Sequence, residues 1–226
     1  MLVRSWQSLA LVGIHQMTEP EPTVFIIDDD ISVREGISDL LRSVGLGVQA
    51  YASTQEFMSS KHPDACGCII LDVRLPGRSG LDFQQILGEL GIRLPVIFIS
   101  GHGDIPISVR AMKSGAIEFL TKPINEQQLL DAVQAGIELD RANRQDNALT
   151  TELRARFDSL TSREREIMSL VVSGKLNKQI GFQVGLSEMT VKVHRSHVMQ
   201  KMQAKSLVDL VRMADKLGVS APKPKA

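Results

Sequence analysis

Cysteine, aromatic residues and long apolar runs are all scarce in this sequence. Its two cysteines, Cys66 and Cys68, form a C-x-C with no second ligand pair nearby. This spacing offers neither a disulfide framework nor a zinc-finger set, and both residues read as small apolar strand positions. Aromatics make up 4% of the chain against 43% apolar residues overall, an ordinary globular balance. No run approaches the ~20 apolar residues that a membrane-spanning helix needs, so no membrane partner is expected. The opening MLVRSWQSLALVGIHQ has one Arg and a short apolar patch but no small-residue cleavage site. A secretory leader is therefore not expected, and the cytoplasm is the expected address. Patterned sequence begins just after Met17, and residues 1–20 read as a disordered overhang.

Net charge is also lacking, but the zero conceals an asymmetry. Residues 154–226 carry 14 Lys and Arg against 6 Asp and Glu, a net of +8. Residues 1–153 carry 12 against 20, a net of −8. An acidic front and a basic back imply two jobs, the second on a polyanion. The length of 226 residues accommodates two modest domains.

Apolar runs of strand length fall at 24–27, 48–51, 68–71, 96–99 and 118–121, separated by amphipathic stretches such as 33–44. Runs that are continuous rather than alternating mark strands covered on both faces, as in a parallel sheet. Five such βα units predict a doubly wound α/β sandwich, a five-stranded flavodoxin-like sheet over residues 21–138. Residues 137–173 contain no Gly or Pro, and Leu139, Ala142, Leu149, Leu153, Phe157 and Leu160 recur at helical steps. A helical linker is expected over 139–157, continuing the last helix of the front domain. Thr161-Ser162-Arg163-Glu164 has the form of a capping box, and short helices follow over 177–184, 188–202 and 205–217. Residues 158–218 thus read as an all-α four-helix helix-turn-helix domain, and 219–226 as a disordered tail.

In an open parallel sheet, ligands bind beyond the carboxyl ends of the strands. There this sequence delivers Asp28 and Asp29 after strand 1, Asp72 after strand 3, Ser100 after strand 4 and Lys122 after strand 5. Clustered carboxylates cannot all stay ionised unless a cation joins them, and an all-oxygen set suits Mg2+. A metal beside a carboxylate nucleophile and a lysine is what phosphoryl transfer to an aspartate requires. Asp30 reads as the N-cap of the next helix rather than as a ligand.

With FIIDDD, LDVRLPG, FISGHGD and FLTKP in this order, residues 23–140 resemble the receiver domain of two-component response regulators. The resemblance implies that Asp72 is the phosphoacceptor and that a sensor histidine kinase is the donor. It makes Asp29 a direct metal ligand, Asp28 one acting through water, and the backbone carbonyl of Arg74 a further ligand. Ser100 becomes the switch hydroxyl, Phe119 the switch aromatic and Lys122 the phosphate-pairing lysine, with a cis Lys122-Pro123 bond. His102 and the Arg74 side chain flank the pocket, where they would tune water access. The receiver would catalyse only its own phosphorylation and slow dephosphorylation.

The segment NKQIGFQVGLSEMTVKVHRSHVMQKM is similar to the LuxR-type helix-turn-helix of the NarL/FixJ family, and GHGDIPISVRAMKSGAIEFLTKP places the chain nearer the FixJ branch. Periodicity puts Val191, His194, Val198 and Met202 on an inward face, and Lys192, Ser196 and Met199 on the opposite one. The resemblance implies that Lys192, Val193 and Ser196 lie near base edges. Thr190, Lys178, Arg195 and Lys201 would meet phosphates. His194 reads as a satisfied structural histidine. Two departures from the family stand out: Gly181 replaces the usual Ala at a cost of ~1 kcal/mol in helix propensity, and His197 replaces a common Asn. In the last helix Leu207, Leu210, Val211, Ala214 and Leu217 form a stripe that packs on the domain and, in the family, pairs two DNA-bound copies. Promoter DNA, RNA polymerase and a second copy of the chain are the implied partners.

Three rivals are weaker. A phosphatase working through an aspartyl phosphate would want an acid where Arg74 stands, and a ligand-sensing front domain would not end its strands in carboxylates. A LuxR-type regulator signalling without phosphorylation would not need an intact acid pocket.

Overall fold

The computed structural model describes residues 21–62, 65–77, 79–101 and 105–219. The expected overhang at 1–20, residues 220–226 of the tail expected at 219–226, and His102 lie outside the described residues, whereas Val219 packs against the second unit's core. Contacts divide the chain into two units, Met1–Arg141 and Ala142–Ala226.

The first unit runs β1 (Thr23–Ile27), α1 (Ile31–Ser43), β2 (Gly47–Tyr51), α2 (Thr54–Ser59), β3 (Gly67–Asp72), α3 (Gly80–Glu89), β4 (Val96–Ser100), α4 (Ile105–Lys113), β5 (Glu118–Thr121) and the start of α5 (Glu126–Asp158). All strand pairs are parallel, in the order β2-β1-β3-β4-β5. The continuous apolar runs divide by alternation between two cores. Phe25, Ile27, Ile69, Leu71 and Phe98 pack with Phe57, Phe83 and Leu87 from α2 and α3. Val24, Ile26, Cys68, Ile70, Ile97 and Ile99 pack with Ile37, Leu41, Leu129 and Val133 from α1 and α5. Burial on both faces is why these strands read as unbroken apolar runs. Cys68 is fully buried, which pushes its thiol pKa up to about 12.

Register sets up the site. Ile27 lies opposite Leu71, so Asp28 and Asp72 emerge at one level. Ser100 lies opposite Thr121, so Lys122 leaves β5 beside it. The chain order reverses about β1, and the crevice of such a sheet opens there, at the strand carboxyl ends. Asp30 caps α1 as expected, its Oδ1 accepting from Ser32 N–H at 2.9 Å. The base of β3 is tied to α5 by Asp140, a buried carboxylate that accepts the Gly67 N–H at 3.0 Å.

The linker is helical and continuous with the last helix of the first unit, because α5 runs unbroken from Glu126 to Asp158. In the second unit Leu153 and Phe157 of α5 pack on the core and Leu160 is buried, while Leu149 stays exposed, as does Leu139 in the first unit. There follow α6 (Ser162–Val172), α7 (Asn177–Val184), α8 (Glu188–Met202) and α9 (Leu207–Leu217). The capping box at α6 is complete: Thr161 Oγ1 accepts from Glu164 N–H and Glu164 accepts from Thr161 N–H. Ile167, Leu170, Ile180, Val191, Val198, Met202, Leu210 and Leu217 form the core.

Gly181 is explained by packing. A Cβ built there would lie 2.6 Å from the Leu186 carbonyl oxygen in the turn between α7 and α8. The Gly181 carbonyl accepts the Leu186 N–H at 2.9 Å, fixing that close approach. Gly181→Val is therefore expected to destabilise the second unit by about 2 kcal/mol despite valine's better helix propensity. A urea melt followed by far-UV circular dichroism checks this, and an unchanged midpoint would contradict it.

Candidate functional site

Lys122 is the centre of the acid cluster. Its ammonium donates to Asp28 Oδ2 at 2.7 Å and to Asp72 Oδ2 at 2.8 Å. Asp28 is fully buried and Asp72 nearly so. The other oxygens are held by the backbone: Asp30 N–H donates to Asp28 Oδ1 at 2.9 Å, and Arg74 N–H to Asp72 Oδ1 at 3.0 Å. Burial raises the Asp28 carboxyl pKa, against the lowering effect of the Lys122 and Asp30 hydrogen bonds. For Lys122 burial alone would lower the ammonium pKa, but the hydrogen bonds to Asp28 and Asp72 outweigh it and raise the value. The pair thus keeps the cation charged where it is needed.

The loops around these side chains continue the strand ladder. Val73 N–H donates to Ile99 O at 3.0 Å, and Lys122 N–H to Ser100 O at 2.8 Å. The Lys122-Pro123 peptide is cis. Gly80 supports Asp72 from below: a Cβ there would sit 2.2 Å from the Asp72 carbonyl oxygen. Nothing in the sequence pattern marked this position, whose requirement comes from the third dimension. Ser100 is buried at the end of β4, and Phe119 is half-buried on β5 against the α2–α3 core. Arg74 is exposed.

Asp29 differs from its neighbour in being exposed, yet one carboxylate oxygen from each of Asp28, Asp29 and Asp72 falls within a 4.8 Å cluster. Donors of this kind, hard oxygens only, fit Mg2+, which keeps several waters on one or two carboxylates. Lys122 engages both Asp28 and Asp72, and Asp29 is the exposed carboxylate of the three.

In the second unit the N-terminal part of α8 presents Lys192, Val193 and Ser196 to solvent, with Lys178 exposed on α7. The other three DNA candidates have internal partners. Thr190 Oγ1 lies 2.8 Å from Ser187 Oγ at the N-cap, and Arg195 donates to Asn177 Oδ1 at 3.1 Å, tying α8 to α7. Lys201 donates to the buried Glu164 Oε2 at 2.6 Å. Met199, expected on the outward face, packs instead against the core. The chain reverses at Gln203, with φ 57, and Ala204 N–H returns to Met199 O. His194 is half-buried, and its Nδ1 has no hydrogen-bond partner among the described residues, so the expected satisfied histidine is left open at that nitrogen.

Comparison with known proteins follows this division. The response regulator receiver domain family matches residues 24–134, and the luxR family of bacterial regulatory proteins matches residues 158–214. The chain belongs to the NarL/FixJ family of two-component response regulators. This regulator is 50% identical over 209 residues to nodulation protein W of Bradyrhizobium diazoefficiens, covering 92% of each chain. It is 40% identical over 192 residues to the transcriptional regulatory protein FixJ of Rhizobium meliloti, covering 85% of this chain and 94% of that one. Among solved structures, the response regulator StyR matches at 46% identity with a TM-score of 0.76, covering 87% of this chain and 99% of that one. Full-length FixJ from B. japonicum matches at 35% identity with a TM-score of 0.54, covering 89% and 98%. The regulator is a transcription factor that pairs a receiver with a DNA-binding helix-turn-helix, and among the described residues no helix is long and apolar enough to cross a membrane.

The Glu164–Lys201 pair generates a pH prediction. The Lys201 hydrogen bond leads the causes that lower the Glu164 carboxyl pKa from 4.5 to about 2, against the raising effect of burial. A depressed carboxylate contributes stability above its unfolded value and loses it as pH falls through the folded one. The stability difference between wild type and Lys201→Met should therefore be greatest above pH 4.5 and shrink towards pH 2. Urea melts across that range measure it, and a constant difference would refute the assignment.

Proposed function

We propose that Asp72 accepts a phosphoryl group from the phosphohistidine of a sensor kinase and that the acyl phosphate controls pairing of two copies on promoter DNA. The observation that carries this reading is the convergence of the Asp28, Lys122 and Asp72 side chains at one strand-end crevice. An Asp72 carboxylate oxygen attacks phosphorus in line; the P–N bond to the kinase histidine breaks as the P–O bond forms. Asp29, Asp72 and the Arg74 backbone carbonyl, with Asp28 through water, would hold Mg2+, which would supply neutralisation of the phosphoryl oxygens. Lys122, released from Asp72 Oδ2, pairs with a phosphoryl oxygen. Ser100, one strand away, turns its hydroxyl towards the new charge, and Phe119 fills the space that movement opens. The receiver thereby shifts between two packings that already coexist. It acts on no substrate other than itself, and its acyl phosphate hydrolyses slowly.

On DNA, Lys192, Val193 and Ser196 face base edges in the major groove. Lys178 meets phosphates, with Thr190 and Arg195 adding to that contact as far as their internal bonds allow. Lys201 was a phosphate candidate from the sequence, but its bond to Glu164 makes it a tether within the domain. RNA polymerase is the partner such a bound dimer would address.

Acetyl phosphate with Mg2+ should give a shifted band on a phosphate-affinity gel, and Asp72→Asn should abolish it. A shifted band surviving in that variant ends the assignment. Lys192→Ala should cost about 1–3 kcal/mol and relax specificity at one base position, whereas Lys178→Ala should weaken all sequences alike and lower the salt slope by about 1. Binding isotherms on a specific and a scrambled duplex at two salt concentrations separate the two effects.

A further inference from the structure

His197, the departure from the family noted above, has neighbours that suggest a use for it. His194 and His197 stand three residues apart on α8, facing Glu164 of α6. One ring nitrogen of each and one Glu164 oxygen lie within 4.8 Å of one another. Glu164 Oε2 is fully engaged, accepting from Thr161 N–H at 2.8 Å and Lys201 Nζ at 2.6 Å. Oε1 instead faces His197 Nδ1 across 3.7 Å, too long for a hydrogen bond. His194 Nδ1 is buried without a hydrogen-bond partner. Two donors held about 2.0–2.1 Å from one tetrahedral ion are about 3.4 Å apart. The Glu164–His197 gap is therefore close to the span of a bridging ion, needing a shift of a few tenths of an ångström.

We propose that Glu164, His194 and His197 bind a divalent metal ion of the zinc class, with water in the remaining position, clamping α8 to α6. Two imidazoles and a carboxylate suit zinc, copper or nickel, whereas the all-carboxylate pocket of the receiver suits magnesium. Thr161 N–H and Lys201 act as the outer partners that orient the Glu164 ligand. The Lys201 charge opposes a second cation and favours a site of modest affinity. Binding to the folded form alone would stabilise the second unit.

The test uses the full chain with excess Mg2+ present. Co2+ is titrated in and its visible bands recorded, and Zn2+ is titrated against a competing chelator. Wild type is expected to take up one more equivalent than His197→Asn, to show nitrogen-ligated Co2+ bands, and to melt at higher temperature with Zn2+. His197→Cys, which retains a ligand, should keep the extra equivalent. Equal stoichiometry and an equal melting shift in wild type and His197→Asn would overturn the proposal. So would wild type lacking the Co2+ bands, an outcome that does not depend on how any variant folds.

Discussion

One ammonium group holds the receiver's carboxyl edge together. Lys122 leaves β5 and reaches across the sheet to bridge acids that leave β1 and β3. Without it, two buried carboxylates would face each other in a region of low dielectric, and neither could remain ionised without cost. Removing one member of a buried ion pair costs about 3–5 kcal/mol, because the remaining charge stays behind. The same bridge that stabilises the resting sheet end also places a cation beside the nucleophile. Burial and charge are thus coupled: Lys122 makes the burial of Asp28 and Asp72 tolerable.

Much of this was legible in one dimension. The apolar runs showed strands buried on both faces, and the polar residues just after them showed what the sheet delivers to its carboxyl edge. Register does the rest, since Ile27 pairs with Leu71 and the next residue on each strand is an aspartate. Strand bounds were less legible. β1, β2 and β3 each begin one residue before their apolar runs, at Thr23, Gly47 and Gly67, because pairing with neighbours and not side-chain polarity sets where a ladder starts. Asp140 was invisible for a related reason. A single acid on a long helix reads as solvated, and only the fold shows it buried against the Gly67 N–H. Gly80 and Gly181 are each required by a backbone oxygen, of Asp72 and of Leu186, whose close approach depends on loop geometry that residue type alone does not reveal.

The second unit shows how misleading charge counting can be for a DNA-binding surface. The surplus of +8 over residues 154–226 pointed to a polyanion, and the family resemblance assigned Lys178, Arg195 and Lys201 to phosphates. In the fold, Arg195 is engaged with Asn177, and Lys201 with Glu164. Each of these bonds fixes α8 against a neighbouring helix. A recognition helix must be held at a defined depth and roll before its exposed side chains can discriminate bases. Charges that look available in the sequence thus include some that hold the helix in place. Lys192, Val193 and Ser196 are exposed on α8 and are the side chains proposed to read bases.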